Sequence, residues 1–135
     1  MSRTPARPSG SPAPVDATFD GRSIALVPLA EEIARRHLDR HPDDRERYGD
    51  LAWDWCVHDM QHVLAWAFGE ETGFIDLAKQ VDWLARVLDA RGYPLVNLAD
   101  CLLDAAAVVR SEVPGASVVA DRLEEVSSSV RASIT

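Results

Sequence analysis

LAWDWCVHDMQHVLAWAF, residues 51–68, carries three of the chain's four tryptophans and two of its four histidines, and contains neither Gly nor Pro. At about 100° per residue the segment forms a helix with two distinct faces. Trp53, Cys56, Val57, Met60, Val63, Leu64, Ala67 and Phe68 share an arc of about 140° with no polar member, the side expected to face a core. The opposite side carries Asp54, His58 and His62 at four-residue steps, with Leu51, Trp55, Asp59 and Trp66 beside them. Two tryptophans on that side imply either a helix covered from two directions or a face that meets a partner or ligand.

Outward from this helix the apolar period stays helical. A first helix is expected from near Pro28, whose fixed φ suits a first turn, to about Arg40, with His37 on its apolar stripe of Leu29, Ala30, Ile33 and Ala34. HPDDRERYG (41–49) is polar and reads as a short connection or a first turn. Thr72 is a plausible N-cap for a helix over 73–91, with Phe74, Leu77, Ala78, Val81, Leu84, Ala85 and Leu88 inward, and Gly92 just past its end. Trp83 and Val87 fall on the far side of that helix. Pro94 opens a helix over about 95–111, and a last amphipathic helix covers about 117–132 with Val119, Leu123, Val126 and Val130 on its stripe. Only Ile24 to Val27 offers a weak strand pattern.

The expected fold is therefore all-α, a compact bundle of about five mostly antiparallel helices joined by short connections. Residues 21–135 form one domain in this scheme. Residues 1–20, with four prolines and no apolar period, read as a disordered tail, because such a composition cannot offset the entropy of ordering.

Composition narrows the function. The formal charge is −8, and nucleic-acid binding, which draws on clustered Lys and Arg, is not expected. No apolar run reaches the roughly 18–20 residues of a membrane span, and no signal-peptide pattern opens the chain, so the expected location is the cytoplasm. Arg outnumbers Lys thirteen to one and Ala is abundant, a habit of GC-rich bacterial genomes. Cys56 and Cys101 both fall on apolar arcs and read as two buried thiols.

HDMQH (58–62) invites comparison with the zinc-protease helix HExxH, but its acid is Asp and no third ligand helix follows. Phosphate-cradling Gly-rich loops, nucleophile elbows and CxxC pairs are absent. Asp100 with Asp104, and Asp43 with Asp44, are pairs that solvated helix faces and polar loops produce routinely. The sequence argues against an enzyme of a familiar class and implies no cofactor.

The stronger signal is aromatic. Leu51, Trp55, His58, Asp59, His62, Trp66, Trp83 and Val87 form the candidate binding surface, since tryptophan is enriched in interface hot spots and ligand pockets. The first expectation is a non-enzymatic protein-binding or regulatory bundle that presents this surface to a protein partner or to a second copy of itself. The alternative is a small-molecule, divalent-metal or haem site in which Asp54, His58 and His62 supply ligands along one ridge and His37 or His41 completes the set.

At RYG (47–49), Cys56, Asp59, Leu64 and Trp66, followed by FIDLAKQVDWLARVLDARGYP (74–94), the chain resembles uncharacterised bacterial helical-bundle domains of a sensor-like type. The likeness spans about residues 29–113 and lies in packing positions and helix ends. It implies the helical fold and no catalytic residue. Val63 stands where that pattern carries a histidine.

Overall fold

A computed structural model describes Pro8 and residues 12–134 of the chain. Among these residues lie six helices and one two-stranded hairpin. The elements are β1 (Asp16–Phe19), β2 (Arg22–Ala25), α1 (Leu26–Arg40), α2 (Pro42–Tyr48), α3 (Leu51–Glu70), α4 (Leu77–Ala90), α5 (Leu95–Glu112) and α6 (Ser117–Ala132).

The hairpin corrects the expected tail, since Asp16–Phe19 lies inside the segment read as disordered. Asp20 and Gly21 both adopt positive φ, 51° and 73°, the conformation of a two-residue hairpin loop for which Asp-Gly is a favoured sequence. Asp16 pairs with Ala25 and Phe19 with Arg22 in antiparallel register. Ala17, Phe19 and Ile24 pack on the core, and the Phe19 ring lies 5.5 Å from that of Phe68 on α3. Gln61 of α3 donates to the Pro14 carbonyl at 3.0 Å. The segment is ordered because α3 supplies the apolar surface and polar partners it lacks alone. Residues 1–7 and 9–11 of the expected tail lie outside the described residues.

The sixth helix is α2, in the stretch expected to be a short connection or a first turn. Pro42 sits in its first turn with Asp43 and Asp44, and Arg45 and Arg47 occupy its last turn, a charge order that matches the helix dipole. Gly49, at φ 61°, ends it. The start of α4 also shifts. Asp76 caps it, accepting from the Lys79 amide at 3.2 Å, while Thr72 Oγ1 donates back to the Gly69 carbonyl. Phe74, expected inward, is 92% exposed in the connection between α3 and α4.

The core is one contiguous cluster. α5 is its centre, packing on α1, α4 and α6, with Leu98, Ala99, Leu102, Ala105, Ala106, Val108 and Val109 buried. Ser127 of α6 donates to the Ala99 carbonyl at 2.7 Å, a close approach that the small side chain at 99 permits. α3 buries Met60, Val63, Leu64, Ala67 and Phe68. Trp53, expected among them, is only half-buried in the first turn of α3 and lies outside the cluster.

Phe68 is fully buried where α3 meets the hairpin. Phe68→Ala should cost about 3–5 kcal/mol, the usual range for removing a buried ring, measured as a shift of the urea midpoint at unchanged slope.

Candidate functional site

A cleft of about 1360 Å³ opens between α3 and α4. α3 contributes Trp55, Cys56, His58, Asp59, Met60, His62 and Trp66, and α4 contributes Gln80, Trp83, Leu84, Val87 and Leu88. Leu98 and Cys101 of α5 line its bottom, and Asp44, Arg47, Tyr48, Arg91 and Tyr93 one end. Of the eight residues proposed as a binding surface, Trp55, His58, Asp59, His62, Trp66, Trp83 and Val87 line this one cleft. Leu51, at the start of α3, is half-buried and is not in the lining.

The α3 wall is a ladder of rings at three- and four-residue spacing, the spacing that stacks side chains on one helix face. Trp55 meets His58 edge-on at 5.5 Å, His58 meets His62 at 4.9 Å and His62 meets Trp66 at 5.9 Å. Asp59 accepts from His58 Nδ1 at 3.2 Å. Burial, and secondarily the neighbouring His58, hold the His62 imidazole below its ordinary pKa, with Asp59 opposing. His62 is thus a neutral ring at neutral pH, suited to packing and to a single donated or accepted bond. The Arg91 guanidinium lies 6.0 Å from the Trp55 ring centre, within cation–π range.

This end is built around one carboxylate. Asp44 Oδ2 accepts from His37 Nε2 at 2.8 Å and from the Tyr93 hydroxyl at 2.6 Å. Its Oδ1 accepts from Asn97 Nδ2 at 2.8 Å and Arg47 at 3.2 Å. Four donors fill the lone-pair sites a carboxylate offers, so Asp44 is an anchor and not a base facing the cleft. Burial pushes its pKa up, but the bonds from His37, Tyr93 and Asn97 outweigh that and hold it below the ordinary value. Burial, then the adjacent carboxylate, push the Tyr93 hydroxyl far above its ordinary range. Tyr93 therefore remains a donor.

The residues named for the metal alternative do not converge. His37 is buried behind Asp44, its Nε2 bonded to that carboxylate, and neither His37 nor Asp54 lines the cleft. His41 bonds Asp100 at 2.9 Å. Asp54, His58, His62 and His37 are not brought together, and no group of three or more His, Cys, Asp or Glu side chains among the described residues is arranged to hold a metal ion.

Sequence reasoning missed Asp44, Arg47, Tyr93 and Asn97. Pro42 followed by two acids was the available sign of α2, but nothing local announces contacts made across about fifty residues. Among the described residues no helix is long and apolar enough to cross a membrane. No protein-family model, curated protein or solved structure matches the chain.

Asp44→Ala would leave the buried donors of His37, Tyr93 and Asn97 unmatched and should cost about 3–5 kcal/mol. Asp43, held low first by Asn97, and Asp100, held low by Arg131 and His41 against its burial, behave like Asp44. All three fold with pKa values below the ordinary 3.8. Their contribution is complete above the unfolded-state value and is lost as pH falls through the lower folded values. Stability followed by urea titration should be flat with respect to these groups near neutrality and decline as pH approaches and passes below 3.8. Asp44→Ala should make that decline shallower.

Proposed function

We infer that the chain is a non-enzymatic binding and regulatory protein whose α3–α4 cleft takes up an apolar, ring-bearing small molecule with an anionic group. The observation that carries this reading is convergence. Trp55 and Trp66 from α3 and Trp83 from α4 line one concave space of about 1360 Å³, whereas a surface for a large partner is generally flatter. Clefts of about 300–1,000 Å³ accommodate drug-sized ligands with most of their surface covered, so this one has room for such a molecule and some water. Rings and alkyl groups line most of its length, which favours a flat apolar ligand.

Charge supplies the anionic preference. Arg47 is committed to Asp43 and Asp44, and Asp59 to His58. Arg91 has no ion-pair partner among the described residues and stands against Trp55 at the cleft end. It is the group best placed to receive a carboxylate, sulfonate or phosphate.

A second reading, association with a protein partner or a second copy, is favoured by one observation. Trp83 at the cleft is 53% exposed and Phe74 beside α4 is 92% exposed, two aromatic groups that a partner could cover.

The anionic naphthalene dye anilinonaphthalene sulfonate is a suitable probe. It should bind the folded protein with enhanced emission and quenching of tryptophan fluorescence. Arg91→Glu should weaken binding by about tenfold, the worth of one charge-assisted contact, and leave binding of neutral phenylnaphthylamine unchanged. Trp83→Ala should weaken both dyes without altering helical circular dichroism. Trp66 is the poorer probe, because it packs on the core. Dye binding that is absent, or indifferent to both substitutions, would refute the small-ligand reading. Concentration-dependent association abolished by Trp83→Ala, with no dye bound, would put the second reading in its place.

A further inference from the structure

The two cysteines, forty-five positions apart in sequence, bring their Sγ atoms to 4.0 Å. Both are free thiols and both line the cleft. We propose that Cys56 and Cys101 are an oxidisable pair, converted by a hydroperoxide that enters the cleft into an intramolecular disulfide joining α3 to α5.

The geometry needs little change. A disulfide places its sulfurs about 2.05 Å apart, so from 4.0 Å each must move by about 1 Å, within the reach of a side-chain rotation and a small helix adjustment. The two thiols also differ in a way that orders the reaction. Cys56 is half-buried and open to the cleft, whereas Cys101 is buried in the floor. Contact with Cys56, and then burial, push the Cys101 thiol well above its ordinary pKa, so Cys56 is the sulfur that meets the oxidant first.

The chemistry balances with the hydroperoxide as sole oxidant. The Cys56 sulfur attacks the terminal oxygen, the O–O bond breaks, and the alkoxide takes up the proton released by the thiol, leaving a sulfenic acid and an alcohol. The Cys101 sulfur then displaces the hydroxyl from Cys56, forming the S–S bond, and its proton leaves with that hydroxyl as water. Two thiols and one hydroperoxide become one disulfide, one alcohol and one water. With hydrogen peroxide the alcohol is a second water.

The disulfide encloses α4 in a covalent loop running from 56 to 101 and removes two S–H groups from the lining. Oxidation should therefore change what the cleft accepts, a consequence that rests on the binding function proposed above. Disulfide formation itself does not rest on it.

The test uses the full chain with hydrogen peroxide, alkylation of remaining thiols, and peptide mapping without reductant. The expected product is an intact mass lower by two hydrogens and a single cross-link between Cys56 and Cys101. In a glutathione buffer the folded chain should favour the disulfide at least about tenfold more than the urea-unfolded chain, because folding holds the thiols together. In Cys101→Ser, Cys56 should stop at the sulfenic acid and be trapped by dimedone; the wild-type measurements decide the matter if that variant does not fold. The proposal is overturned if both thiols stay alkylatable, if oxidation runs to sulfinic acid or to cross-links between chains, or if folding gives no advantage over urea. A disulfide that forms but leaves dye binding unaltered would overturn only its effect on the cleft, and absent dye binding in the reduced protein would strike the binding function and leave the redox pair standing.

Discussion

The four bonds received by the Asp44 carboxylate hold one end of the cleft together. His37 comes from α1, Arg47 from α2 itself, Tyr93 from the connection between α4 and α5, and Asn97 from α5. A seven-residue helix such as α2 is too short to persist by its own hydrogen bonds, so its position is set by these side chains. Burying a carboxylate is costly unless its oxygens are satisfied. Here both are filled, and the residue that costs most to bury is the one that ties four parts of the chain to one point. Tyr48 and Tyr93 reach the cleft because α2 and the α4–α5 connection are fixed there.

α3 explains why there is a cleft to hold. None of its twenty residues is fully exposed, yet it is not covered in the same way all round. One side packs into the core beside α1 and α6, and the hairpin lies along another through Phe19 and the Gln61 bond to Pro14. The third faces α4, whose Leu77, Val81, Leu84 and Ala85 are spent on the core. The ring ladder of α3 is left opposite the less buried residues of α4, and the space between them stays open. The doubly apolar character of residues 51–68 thus resolves into a core contact, a strand contact and a cleft wall.

The long helices were legible in the sequence because their periods are strong and their ends are marked. Ser117–Ala132 falls where the apolar stripe places it, and Pro94 marks the start of α5. The same helical geometry made the polar-aromatic side of α3 legible: Trp55, His58, Asp59, His62 and Trp66, three and four apart, share a face wherever the helix packs. The failures have separate causes. The hairpin's strands are short and follow a Pro-rich stretch without apolar period, so the Asp20-Gly21 turn is its main local signal. At α4, Thr72 was the expected cap, but Gly73 at φ 84° turns the chain after it and Asp76 caps the helix instead. Trp53 sits at the centre of a helical arc but at the end of the helix, where period alone cannot say whether a neighbour extends that far. Asp44 with Tyr93 is a contact across forty-nine positions, and no local pattern encodes it.

The far end of the cleft is clamped by a second acid. Glu70, in the last turn of α3, accepts the Leu77 amide at 2.8 Å and Arg122 Nε of α6 at 2.8 Å. It fixes the first residue of α4 relative to the last turn of α3, as Asp44 fixes the connection that follows α4. Both ends of α4 are therefore bound by charge-assisted hydrogen bonds, while its middle faces α3 across the rings. Two helices pinned at their ends and separated in between form a space whose dimensions belong to the fold and do not have to be created by an occupant. A preformed space lowers the ordering cost of binding, and under the proposed reading selectivity would rest on the shape of the indole-lined middle and on Arg91, which lines the cleft without an ion-pair partner among the described residues.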